Sequence, residues 1–103
     1  MEEFENDPHE DLAELAAVLH QLVKRMTKRL FATPRMMQMD VGRAMSLLNR
    51  VHYPKRLFLR RALSDLLREL GKRRPDLHRY VVALEEAARE MDEELEKPEW
   101  LRE

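Results

Sequence analysis

The amino-acid sequence predicts an all-α fold, narrowed to an antiparallel up-down-up-down four-helix bundle. Three observations carry that expectation. Apolar residues recur at three- and four-residue spacing in four separate stretches, as a helix with one buried face requires. Prolines punctuate those stretches, at Pro8, Pro34, Pro54, Pro75 and Pro98. Leu, Ala, Glu, Arg and Met dominate, with only two glycines and few β-branched residues, which favours helix over sheet. At 103 residues the chain is sized for one domain. It divides into an acidic N-terminal extension (1–7), the bundle (8–97) and a short tail (98–103).

The first helix is expected from Pro8 to Phe31. Asp7 can cap it, Pro8 sits where its missing N–H is harmless, and Glu10 follows Asp7 by three residues. Leu12, Leu15, Leu19, Leu22 and Met26 form its stripe, widened by Ala16, Val23 and Leu30. Thr33-Pro34 repeats the cap-then-proline signal. Met37, Val41, Ala44, Met45 and Leu48 make the second stripe, which should end before Pro54. Gly42 weakens this helix and leaves a late start at Asp40 open. Pro54 opens the third helix, with Leu59, Leu63, Leu66 and Leu70 as its stripe and Gly71 as its C-terminal cap. Pro75 opens the fourth, where Leu77, Val81, Leu84, Ala88, Met91 and Leu95 recur until Pro98 stops the run. Short connections make successive helices neighbours. The first and last helices should be longer by roughly six residues, about 9 Å. Both excesses should project beside the Val51–Tyr53 turn, leaving the other end flush.

Charge is segregated along the chain. Met1 to Glu14 holds seven acids and no Lys or Arg, Leu15 to Tyr80 sixteen bases against four acids, and Val81 to Glu103 nine acids against three bases. The net charge of −1 therefore hides strong local fields. Acids at the start and bases at the end of the first helix complement its macrodipole. The fourth helix reverses that rule, with Arg74 and Arg79 near its start and acids crowding its end. Pairing within the bundle or a charged partner should compensate. Arg50, Lys55 and Arg56, at the second turn, are the local counter-charges on offer.

The residues give little support to chemistry. With no cysteine, thiolate metal sites, disulfides and cysteine nucleophiles are excluded, which fits a cytoplasmic protein. The acidic N-terminus does not read as a signal peptide, and no apolar run approaches the ~20 residues of a membrane span. His9, His20, His52 and His78 make neither His-x-x-x-His nor Glu-x-x-His spacing, so no metal and no cofactor are expected. Asp11 with Glu14, and Glu86 with Glu90, could share helix faces and hold Mg²⁺ in a carboxylate hydrolase. A solvated face is the better reading, since the expected core stripes carry no acid. Ser46 and Ser64 lack any nucleophile elbow, and no Gly-rich loop cradles phosphate.

Binding is the remaining class. A basic end of Arg25, Arg29, Lys72, Arg73 and Arg74 could take an anion, with Lys72–Arg74 placed directly before a helix start. An apolar surplus of Met36, Met39, Phe58 and Trp100 could take a protein, because methionine surfaces adapt and Phe58 beside Leu57 makes an unusually wide arc. The preferred expectation is a non-enzymatic interaction module, a small adaptor or regulatory subunit that forms a homo-oligomer or binds a protein partner. The alternative is a nucleic-acid-binding protein using the basic end. Against it stand a pI of about 6.4 and the scarcity of aromatic stacking platforms.

Overall fold

The computed structural model describes residues 8–28 and 33–97, apart from the side chain of Pro8. It contains four helices: α1 (Pro8–Lys28), α2 (Pro34–Leu48), α3 (Arg56–Leu70) and α4 (His78–Glu96). They form an all-α four-helix bundle. Each helix packs on two neighbours in the cyclic order α1–α2–α3–α4, with α1–α4 the most extensive contact and α3–α4 the slightest.

The apolar stripes make the core. Leu15, Leu19, Leu22, Leu48, Leu59, Leu63, Leu66, Leu84, Met91 and Val41 are its largest fully buried side chains. Each buried leucine removes enough apolar surface from water to contribute about 1.5–3 kcal/mol. Every helix supplies at least one of them, so no helix can leave without exposing the apolar faces of the others. Of the expected stripe residues, Leu12, Met45, Val81 and Leu95 are only partly buried against this core. They lie at the edges of their stripes.

Local signals explain the boundaries. Thr33 caps α2: its extended backbone (φ −108°, ψ 157°) lets its hydroxyl accept from Met36 N–H at 3.1 Å, with Pro34 opening the helix. The late start at Asp40 is therefore not used. Α2 ends at Leu48, several residues short of Pro54, because the chain turns inward there and buries Val51. Α3 starts at Arg56 rather than Pro54. Gly71 does cap it, yet at φ −82° it stays right-handed, donating to the carbonyls of Arg68 and Glu69. Nothing here requires a glycine's left-handed freedom.

The expected start of α4 at Pro75 is corrected to His78. The Asp76 N–H donates to Glu69 Oε2 at 2.7 Å, and Leu77 is buried, so this stretch is tied to the end of α3 instead of winding into helix. The end of α1 expected at Phe31 lies outside the described residues.

Ion pairs lace α1 to α2 and the turn after it in opposite chain order: Asp11 with Arg50 (3.4 Å), Glu14 with Arg43, and Arg25 with Asp40 (2.8 Å). The order marks this pair as antiparallel. Α1 has 21 residues and α4 has 19, against 15 in each of the others. The end of α4 nonetheless does not stand off as a bare acidic stub. Asp92 Oδ2 lies 2.7 Å from His20 Nε2, midway along α1. Nor are acids absent from the buried surface, as the stripes implied: Asp11 and Glu69 are both buried, each with a basic partner.

Two outcomes test this account. Leu63→Asp or Leu84→Asp places an unpaired charge in the core, and each should abolish the cooperative thermal transition. Gly42 lies exposed inside α2, with nothing within 4 Å of where a Cβ would stand. Gly42→Ala should therefore stabilise the fold by about 0.5–1 kcal/mol in urea titration.

Candidate functional site

The two surfaces expected from sequence fare differently. At the basic end, Arg25 is three-quarters buried and bound to Asp40. Lys72 Nζ lies 3.0 Å from Glu69 Oε1. Arg73 and Arg74 are exposed and make no ion pair among the described residues, whereas Arg29 lies outside them. The Lys72–Arg74 run sits in the loop before His78, so it does not abut a helix start. No hydrogen bond or ion pair among the described residues joins Arg25 to this run. The expected cluster thus separates into one internal strut, one loop clasp and two exposed arginines.

Glu69 is the centre of that clasp. Its carboxylate accepts from the Asp76 N–H and from Lys72, and these two bonds, in that order, hold its pKa below the ordinary carboxylate value. The residue closes the α3–α4 loop.

The apolar surface is better formed, though not by all the residues expected. Met39 and Phe58 are exposed, at 69% and 65%, whereas Met36 is half-buried and Trp100 lies outside the described residues. Leu57 (76%) on α3 and Val82 (60%) on α4 are exposed too, and Leu67 is partly exposed, whereas Met39 lies on α2, outside the α3–α4 pair. Val82 was not anticipated. The signal was there in the run Tyr80 to Leu84, five consecutive residues with apolar or aromatic side chains, more than one face of a helix can bury.

Phe58 borders a shallow cleft between α3 and α4, lined also by Tyr53, Lys55, Leu59, Ala83, Glu86, Ala87 and Glu90. One edge of it is polar and tightly organised. Tyr53 Oη donates to Glu90 Oε1 and Lys55 Nζ to Glu90 Oε2, each at 2.7 Å. Both carboxylate oxygens are thus engaged, first by Lys55 and then by Tyr53, which pulls the Glu90 pKa below its ordinary value. Burial, then the hydrogen bond to Glu90, pushes the Tyr53 hydroxyl up. The same carboxylate raises Lys55.

This cluster answers the reversed charge of α4. The helix has no acid in its first turn and no base in its last, so its dipole is uncompensated locally. Lys55 on Glu90 and His20 on Asp92 bring counter-charges from other elements, and Arg79 stacks over the Tyr80 ring at 5.5 Å. Arg50 and Lys55 act as the counter-charges expected of the second turn. Arg56 makes no ion pair among the described residues. The same pairings occupy three of the four acids considered for Mg²⁺: Asp11, Glu14 and Glu90. Among the described residues no group of three or more His, Asp or Glu is placed to hold a metal, and no helix is long and apolar enough to cross a membrane.

Because Glu90 titrates lower folded than unfolded, its contribution is present above the ordinary carboxylate pKa and lost as pH falls through the folded value. Lys55 has the opposite sign, and its contribution fades only as pH rises through its raised value. Glu90→Gln should therefore lower the urea midpoint at about pH 7, and by less at about pH 3. An equal deficit at both pH values would show that the carboxylate charge contributes nothing.

No protein-family model, curated protein or solved structure matches the chain, so its function has to be read from its own residues.

Proposed function

We propose that the chain is a non-enzymatic interaction module, a small adaptor or regulatory subunit that binds protein through the outer surface of α3 and α4. The observation that carries this reading is the exposure of Leu57, Phe58 and Val82 beside the most loosely packed helix pair. Exposed single apolar residues are ordinary, whereas several large ones on two neighbouring helices, with Phe58 at the cleft between them, favour a contact surface. Phe58 is the natural anchor, since buried aromatic side chains dominate interface energies. The engagement of Asp11, Glu14 and Glu90 by basic residues supports a binding role over a carboxylate-metal hydrolase.

A second reading has its own observation. Arg56, Arg60, Arg61, Arg73 and Arg74 are exposed without an ion pair among the described residues, which suits a nucleic-acid backbone. The apolar surface ranks first because nucleic acid would leave Leu57, Phe58 and Val82 uncovered.

Solution mass by light scattering, at two concentrations and two salt levels with and without nucleic acid, separates the two. The interaction module should give a defined complex without nucleic acid, or capture from cell extract a protein that is lost with Phe58→Glu and kept with Arg73→Glu plus Arg74→Glu. A monomer that shifts only with nucleic acid at low salt, and whose shift vanishes in the double arginine variant, would overturn the reading in favour of the second. So would a monomer whose captured proteins are indifferent to Phe58→Glu.

A further inference from the structure

The exposed surface of α3 and α4 carries the same pattern twice with opposite charge. On α3 the sequence is Leu57-Phe58-Leu59-Arg60-Arg61, and on α4 it is Val82-Ala83-Leu84-Glu85-Glu86. The positions match in role. Leu57 and Val82 are exposed, Phe58 and Ala83 line the cleft, and Leu59 and Leu84 are buried. Arg60 and Arg61, like Glu85 and Glu86, are exposed. Residues three and four apart are surface neighbours on a helix. Each helix therefore shows one exposed aliphatic residue beside two like charges, basic on α3 and acidic on α4.

These charges are little spent inside the molecule, although Glu86 acts through space on Tyr53 and Lys55. None of Arg60, Arg61, Glu85 or Glu86 forms an ion pair among the described residues, and the only polar bridge at the cleft runs from Tyr53 and Lys55 to Glu90. Thus α3 carries a basic pair beside Leu57 and α4 an acidic pair beside Val82, with Phe58 and Ala83 lining the cleft between the helices. A uniformly anionic partner would be attracted to α3 and repelled by α4, and a uniformly cationic one the reverse. The surface fits a partner that carries both signs at the same spacing beside an apolar residue.

We infer that this partner is a second copy of the chain, docked about a two-fold axis so that α3 of each copy lies along α4 of the other. This rests on the interaction-module reading and names its occupant. A two-fold interface is self-complementary, so one rotation makes both pairings together. Arg60 and Arg61 of each copy meet Glu85 and Glu86 of its partner, while Leu57, Phe58 and Val82 are covered. Like charges would face each other in the alternative of α3 on α3 or α4 on α4, which selects the register.

Charge exchange tests it. One variant carries Arg60→Glu with Arg61→Glu, so both pairs are acidic. The other carries Glu85→Arg with Glu86→Arg, so both are basic. All four side chains are exposed, and a retained cooperative melt confirms each fold. The unsubstituted chain should have the mass of two copies, each variant alone the mass of one, and an equimolar mixture the mass of one copy of each. If the unsubstituted chain dimerises and each variant still dimerises alone, the seam lies elsewhere: this inference falls while the interaction-module reading stands. If chain and mixture both stay monomeric at the highest soluble concentration, the second copy is not the occupant, and capture dependent on Phe58 decides the broader reading separately.

Discussion

The whole bundle depends on burying four leucine-rich stripes against one another in a ring. Among the described residues, no helix of 15 to 21 residues packs on a helix other than its two neighbours. Isolated helices of this length are marginal in water, so the helical state itself is borrowed from packing. Α1 is central to it, since Leu15, Leu19 and Leu22 are fully buried and its contact with α4 is the most extensive. The contact of α3 with α4 is the slightest, and Phe58 borders the shallow cleft between them.

Charge explains how that seam stays ordered. Α4 runs against its own macrodipole, with arginine near its start and acids through its second half. The bundle offsets this from outside the helix. Glu90 is bound on both oxygens by residues of the α2–α3 turn, and Asp92 by a histidine of α1. At the other end of the seam Glu69 fastens Lys72 and the Asp76 amide. Polar clasps therefore hold both ends of the slightest helix contact in the bundle. They also use up much of the charge that would otherwise attract ions or nucleic acid.

What remains on the α3–α4 surface is selective by exclusion. The carboxylates with cations bound to them are poor metal ligands, and the arginine run loses Lys72 to Glu69. Exposed there are Leu57, Phe58 and Val82, with Arg60 and Arg61 on α3 and Glu85 and Glu86 on α4. Such a surface rewards a partner of matching polarity and penalises a uniformly charged one.

The sequence by itself determined the helix count, the placement of most core residues and the cap of α2, because helical period and local capping act over a few residues. It also pointed to Arg50 and Lys55 as counter-charges, since their place in the turn follows from helix lengths. Tertiary structure alone decided which charges are spent and which are left. Arg25 became a strut because Asp40, fifteen residues away, packs beside it. The stretch from Pro75 to Leu77 lost its helical start to a carboxylate on the preceding helix. These outcomes depend on which side chains meet across helices, and no spacing within one helix encodes that.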